Sequence, residues 1–155
     1  MTTAASYSNL VQELYIAYFG RPADYYGLQN FDTALEQAGA PADPAGLANA
    51  YASNAATKSL VDSFGSSAES AALYGSGSTA GFVNGVFENL FNRPAAVAGL
   101  AFWVNAIDSG AVGKGDAALA ILAGAFAAGG SLTDQAAINN KVAVAQAFTS
   151  ALGKR

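Results

Sequence analysis

Residues 10–35 read LVQELYIAYFGRPADYYGLQNFDTAL, and residues 82–107 repeat that pattern as FVNGVFENLFNRPAAVAGLAFWVNAI. The two copies align without a gap at an offset of 72 residues, and eight of the 26 aligned positions are identical. An internal repeat marks a structural unit used twice. The identical residues are types that pack helices or form turns: Val11/Val83, Phe19/Phe91, Arg21/Arg93, Pro22/Pro94, Ala23/Ala95, Gly27/Gly99, Leu28/Leu100 and Ala34/Ala106.

Each copy opens with the apolar rhythm of one helix face, at positions i, i+1, i+4, i+5, i+8 and i+9. The residues that follow it are Leu10, Val11, Leu14, Tyr15, Tyr18 and Phe19, and then Phe82, Val83, Val86, Phe87, Leu90 and Phe91. Ser8 and Ser78 are the predicted N-caps of these helices, because serine accepts a bond from a free backbone N–H.

Both helices are predicted to end at the same point of the repeat. Gly20 and Asn92 are the residue types that best tolerate the left-handed conformation at a helix end. The Arg-Pro pair that follows each of them, at positions 21–22 and 93–94, stops the helix because proline cannot continue it.

A second helix is predicted to start near Ala23 in copy one and near Ala95 in copy two. Asp24 can cap the first of these, whereas Ala96 cannot cap the second. A glycine in the first turn of each, Gly27 and Gly99, indicates close approach of the preceding helix. Phe31 and Trp103 are predicted to fill the groove between the two helices.

The rest of the chain predicts further short helices at 44–53, 56–64 and 68–73, where Asp43 is an N-cap and Pro44 the first helical residue. Loops are predicted at 75–78, 110–115 and 129–131. Asp116 should open an alanine-rich helix to about Ala128, and Thr133 should cap a last helix to Leu152. One face of that helix would carry Ile138, Val142, Ala145, Phe148 and Leu152.

The fold class predicted from these patterns is all-α. We expect about seven or eight short helices in two related helix-pair repeats, forming one compact helical bundle over residues 1–155. At this length the chain fits a single domain.

Composition excludes several kinds of chemistry. The chain has no cysteine and no histidine, which removes disulfides, Cys/His zinc sites and histidine-based catalysis. Its net charge is −4 and its seven basic residues are scattered, so neither nucleic-acid binding nor docking through a polybasic patch is expected. No stretch is long and apolar enough to predict insertion into a membrane. No cofactor is expected, although scattered acidic residues leave calcium open.

Among the polar residues, Arg21 and Arg93 stand out because both copies carry an arginine at the same helix end. We expect their guanidinium groups to bond the terminal carbonyls of the preceding helix, with a clamp on a ligand carboxylate or phosphate as the alternative. Tyr25 and Tyr26, which copy two lacks, are with Arg21 the candidate contacts for a glycan or partner, although tyrosines at helical spacing also fill grooves.

Catalysis by paired carboxylates is not expected. Such chemistry needs two acids that converge in a cleft. Glu13 and Glu88 are predicted to lie on the polar faces of their helices, and no enzyme activity is predicted.

The repeat resembles a domain of unknown function found near the N-termini of large secreted bacterial surface proteins, including S-layer-like and RTX-type proteins. The resemblance spans about residues 8–152. Copy one carries the pattern at Tyr15, Phe19, Gly20, Arg21, Pro22, Asp24, Gly27, Leu28 and Phe31. Copy two carries it at Phe87, Phe91, Arg93, Pro94, Gly99, Leu100 and Trp103, and departs from it at Asn92 and Ala96.

This resemblance implies type I secretion, an extracellular place on the bacterial cell surface, and a chain that is the N-terminal module of a longer protein. It also implies a non-enzymatic role in anchoring or assembling an S-layer-like protein through lipopolysaccharide glycan, other protein contacts and self-association. The alternatives are a passive spacer or adaptor domain and, third, an enzyme acting on polysaccharide.

Overall fold

The computed structural model describes residues 3–74, 77–113, 115–127 and 130–153. Within these ranges the chain forms nine α-helices and one short 3₁₀ helix, and no strand, so the all-α prediction is confirmed. The 3₁₀ helix covers Ala4–Tyr7. The α-helices are α1 Ser8–Phe19, α2 Tyr25–Ala38, α3 Pro44–Tyr51, α4 Ala55–Gly65, α5 Ala68–Tyr74, α6 Thr79–Phe91, α7 Val97–Asp108, α8 Ala117–Ala125 and α9 Leu132–Gly153.

The repeat extends beyond the two matching stretches of sequence. The helices α1, α2 and α3 begin at residues 8, 25 and 44, and α6, α7 and α8 begin 71, 72 and 73 residues later. Two pairs of equivalent helices pack on each other, α1 on α6 and α3 on α8. Leu47 of α3 and Leu119 of α8 are both fully buried at equivalent positions. Each copy is therefore a three-helix unit.

The ends of α1 and α6 follow the prediction. Gly20 and Asn92 both adopt the left-handed conformation, with φ of 68° and 61°, and each donates its N–H to a carbonyl four residues back. The predicted N-cap bonds are made by Asp24, Asp43 and Ser78. Ala96 makes no side-chain cap bond, as expected.

Two other predicted helix starts were wrong. Ser8 does not cap α1, because the 3₁₀ helix runs directly into it; the Ser8 hydroxyl instead donates to Asp32 at 2.6 Å. Thr133 lies inside α9, and the hydroxyl of Ser131 accepts the bond from the N–H of Asp134 at 3.2 Å. Asp116 stands at the N-cap position of α8, as predicted, although its side chain makes no cap bond.

Gly27 and Gly99 stand at the same position of the two copies, but their surroundings differ. A Cβ on Gly27 would collide with the hydroxyl of Tyr15, so the predicted close approach is confirmed in copy one. A Cβ on Gly99 would meet nothing within 4 Å, so the same prediction was wrong in copy two. The reason lies at the position equivalent to Tyr15, where Phe87 carries no hydroxyl.

The long helix α9 lies across both copies, since it packs on α1, α2 and α6. Ile138, Val142 and Ala145 are buried as predicted. Phe148 is 51% exposed, so its predicted place on that face was wrong, and Thr149 is buried instead. The predicted apolar face was out of register by one residue near the end of α9, so Phe148 was assigned the buried position that Thr149 occupies.

The predicted loops and the end of α8 fall partly outside the described residues. Gly75 and Ser76, Lys114, and Ala128 with Gly129 all lie there. Inside the described ranges α8 ends at Ala125, three residues before the predicted end. None of the helices in these ranges combines the length and apolarity needed to cross a membrane.

Candidate functional site

Arg21 is held by a carboxylate of its own chain. Its Nε and Nη2 donate to the two carboxylate oxygens of Glu69 at 2.7 Å each, and Nη1 donates to the carbonyl of Pro22 at 3.0 Å. These bonds raise the pKa of Arg21, and the same pair lowers the pKa of the Glu69 carboxyl. A two-point pair of this kind fixes orientation as well as charge.

Arg93 repeats this arrangement in copy two. Its Nη2 and Nε donate to Asp134 at 2.6 and 3.1 Å, and Nη1 donates to the carbonyl of Pro94 at 3.1 Å. The predicted bonds to carbonyls at the helix end are therefore wrong, because the carbonyl used in each copy belongs to the following proline. Each arginine ties its turn to an acid in the first turn of a distant helix, α5 or α9.

A second hydrogen bond that both copies share was not predicted from the sequence. The side-chain oxygen of Gln12 accepts the N–H of Ala23 at 2.9 Å, and that of Asn84 accepts the N–H of Ala95 at 3.0 Å. Gln12 also donates to the hydroxyl of Thr149 at 2.8 Å, which joins copy one to α9. The signal was present, because Gln12 and Asn84 are aligned amides that an identity count leaves out.

A cleft opens between the two turns and the middle of α9, with a volume of ≈ 380 Å³. We refer to it as the inter-repeat cleft; it is lined by Ile16, Gly20, Arg21, Pro22, Asn89, Asn92, Ala137, Asn140, Lys141, Val144 and Ala145. Its volume falls within the range of roughly 300–1,000 Å³ that is typical of small-molecule sites.

The inter-repeat cleft combines apolar walls with amide and cationic groups. Lys141 donates to the carbonyl of Asn89 at 2.5 Å, and burial lowers the pKa of its ammonium group. The Asn140 side chain is exposed, and the larger part of Val144 is exposed beside it. Amides both donate and accept hydrogen bonds, so this surface suits a polar ligand of low charge.

The structure separates the three candidate contact residues. Arg21 lines the inter-repeat cleft, whereas Tyr25 and Tyr26 do not. The two tyrosine rings meet edge to face with centroids 5.5 Å apart. Tyr26 is 73% exposed, while Tyr25 is half-buried against Gly153 at the end of α9.

Glu13 lies in a second cleft, of ≈ 370 Å³, whose lining includes Asn9, Asp43 and Asn139. The prediction that Glu13 occupies a polar face was wrong, because only 8% of the residue is exposed. Burial, followed by the charge of Asp43, raises the pKa of its carboxyl to about 7. Glu88, in contrast, is exposed as predicted.

Within the described part of the chain, no three Asp, Glu, His or Cys residues lie close enough together to hold a metal ion. The second cleft brings together Glu13 and Asp43 only.

Residues 61–126 match a family model described as a domain of unknown function, DUF4214. No curated protein and no solved structure matches the chain.

The DUF4214 segment begins within α4 and ends just after α8. It includes the whole of copy two, with the turn at Asn92 and Arg93, and leaves copy one outside. The Arg93 turn thus lies within the matched segment. Asp134, which holds Arg93, lies beyond its end.

Proposed function

We propose that this chain is a non-enzymatic structural module that anchors or assembles a secreted, S-layer-like protein on the bacterial outer membrane. In this proposal it acts outside the cell, through contacts with lipopolysaccharide glycan and with other protein chains, including copies of itself. The observation that carries the proposal is how the repeat uses its polar residues: both arginines and both aligned amides bond groups of the same chain.

This use of polar groups favours binding over catalysis. Catalytic side chains must be free to meet a substrate, whereas the shared polar residues of this repeat are occupied in holding turns. We assign the ligand to the inter-repeat cleft, because its lining combines amide side chains with apolar walls. Sugars combine hydroxyl groups with apolar C–H faces, and this surface is complementary to both.

The experiment that tests the proposal is cosedimentation of the purified protein with outer-membrane vesicles. Vesicles with complete and with truncated lipopolysaccharide are compared, each with calcium and with a chelator. Sedimentation that depends on the sugar chains is the expected result. Loss of binding with the chelator alone would assign calcium a part in it.

Single variants then locate the contact. Asn140→Ala should weaken vesicle binding by about three- to tenfold, which corresponds to the loss of one hydrogen bond. Asn49→Ala, at an exposed position of α3 outside the described clefts, is the matched control and should leave binding unchanged. If Tyr26→Ala weakens binding and Asn140→Ala does not, the contact lies at the tyrosine pair instead.

The alternative function is a passive spacer or adaptor that carries other domains. It predicts no sedimentation with any vesicle and a single monomeric species in light scattering at high protein concentration. Binding in either assay would reject it.

A third function, action on polysaccharide, is favoured by one observation, the raised pKa of Glu13 in a cleft that also contains Asp43. It predicts that purified protein releases reducing ends from surface polysaccharide and that Glu13→Gln abolishes this release. Asp43 already accepts the N–H of Gly46 at 2.7 Å as a helix cap, which is why we rank this function below anchoring.

A further inference from the structure

The aromatic residues of copy one form a cage around a ring of the same chain. Phe64 of α4 lies between Tyr15, Phe19 and Phe31, with ring centroids 5.5, 5.6 and 4.5 Å away. Phe64 is only 2% exposed, so its ring fills the cage completely. The guanidinium of Arg21 covers two of these rings from outside.

Copy two builds the same cage around a cleft. The residues equivalent to the three cage rings are Phe87, Phe91 and Trp103, and all three line a cleft of ≈ 240 Å³. Arg93 covers the first two of them, as Arg21 does in copy one. No ring from the described residues occupies this space. We call this cleft the aromatic slot.

The sequence explains why the cage is filled once and open once. Phe64 stands five residues before Glu69, the acid that holds Arg21. The segment that leads from α8 to Asp134, the acid that holds Arg93, carries a single ring, that of Phe126. This ring lines the second cleft and is not among the residues that line the slot.

The size and polarity of the aromatic slot define what it can take. A protein cavity of about 150 Å³ lined by apolar side chains is large enough to bind benzene, so ≈ 240 Å³ admits a phenyl ring. Its polar lining residues are already engaged: Asp134 accepts from Arg93, and Ser131 accepts from the N–H of Asp134. Sugar hydroxyls would therefore find few partners there.

The rim of the slot indicates that the ring comes from outside. Phe102 is 63% exposed and meets Trp103 edge to face at 5.0 Å. Exposed aromatic residues beside a pocket are typical of surfaces that receive an anchoring side chain.

From these observations we infer that the aromatic slot binds an aromatic side chain of a partner polypeptide, in the position that Phe64 occupies in copy one. This inference goes beyond the proposed function. It concerns a different cleft and a protein ligand, and it stands whether or not the inter-repeat cleft binds glycan.

Trp103 makes the slot directly observable, because it is the single tryptophan of the chain. The 155-residue chain is titrated with N-acetyl-L-phenylalanine amide while Trp103 emission is followed. The expected result is a saturable change, with nuclear Overhauser contacts between the probe ring and the indole. N-acetyl-L-alanine amide, which lacks the ring, should give neither.

Filling the slot supplies the second arm. Gly124 lines the slot, and a Cβ there would lie 3.6 Å from the Trp103 ring, an ordinary contact. Gly124→Leu should weaken probe binding at least tenfold. Gly99→Leu adds the same side chain to α7, at a position where a Cβ would meet nothing within 4 Å. This variant should leave probe binding intact.

Two results would overturn the inference. One is a titration of the unaltered protein that shows no saturable change and no contact with Trp103 up to the solubility of the probe. The other is saturable binding of methyl glucoside at Trp103 in place of the phenylalanine probe, which would make the slot a sugar site. Because both are read in the unaltered protein, they hold even if Gly124→Leu fails to fold.

Discussion

Glu13 provides the sharpest test of the energetics of this fold. Its carboxyl is buried in the second cleft, and none of the described residues donates a hydrogen bond to it or pairs with it as a cation. Glu13→Gln replaces it with a neutral side chain of nearly the same shape. The variant should be more stable than the parent protein at high pH and equal to it at low pH.

The magnitude follows from the two pKa values. Burial raises the pKa of the Glu13 carboxyl from its ordinary 4.5 to about 7 in the folded protein. Between these values the folded state holds a proton that the unfolded state has lost, so the free energy of unfolding decreases as pH rises. Since each pH unit in this interval is worth about 1.4 kcal/mol, the full loss by pH 8 is about 3 kcal/mol.

The assay is urea unfolding of both proteins at pH values from 4 to 8.5. The difference in the free energy of unfolding between Glu13→Gln and the parent should grow between pH 4.5 and 7 and then level off. Taking this difference removes the contributions of the other titrating groups, which are the same in both proteins. Glu88→Gln makes the same substitution at an exposed position of α6 and is the matched control. A difference that is constant across this pH range would refute the reasoning.

Three sets of substitutions test the packing of the fold. Phe64→Ala should lower the free energy of unfolding by about 3–5 kcal/mol in urea, and N-acetyl-L-phenylalanine amide should raise the melting temperature of this variant by more than that of the parent. Gly27→Ala should lower the melting temperature through its clash with a tyrosine hydroxyl, whereas Gly99→Ala should stabilise by about 0.5–1 kcal/mol through helix propensity; opposite signs would contradict the structure. Gln12→Leu should cost about 1–3 kcal/mol by leaving a buried N–H without a partner, and Asn84→Leu, at a less buried position, should cost less in the same denaturation assay.

Local signals in the sequence predicted the elements of this fold well. Each of these signals involves residues no more than four positions apart in the chain, so a short stretch of sequence contains all of it. Examples are the left-handed helix ends at Gly20 and Asn92 and the N-caps at Asp24 and Asp43. The failed caps had a nearby competitor, as when Ser131 took the place predicted for Thr133.

The candidate site was less predictable, because its geometry depends on distant partners. Arg21 and Glu69 stand 48 residues apart, and nothing in either neighbourhood identifies the other. Burial of Glu13 likewise depends on the start of α3 and the middle of α9, which line the same cleft and which helical periodicity does not place there. The open aromatic slot likewise depends on which cleft Phe126 faces, and the matching stretches of sequence do not specify this.

The bond between Gln12 and Thr149 joins residues 137 positions apart. During synthesis at about 5–20 residues per second, Gln12 therefore waits roughly 7–30 s for the residue of α9 that its buried amide bonds. Throughout that interval the fold lacks α9, and the surfaces of α1 and α6 that α9 later covers remain accessible to water. A chaperone, or an export machinery that takes unfolded chains, has this time in which to engage the protein before its last helix closes the structure.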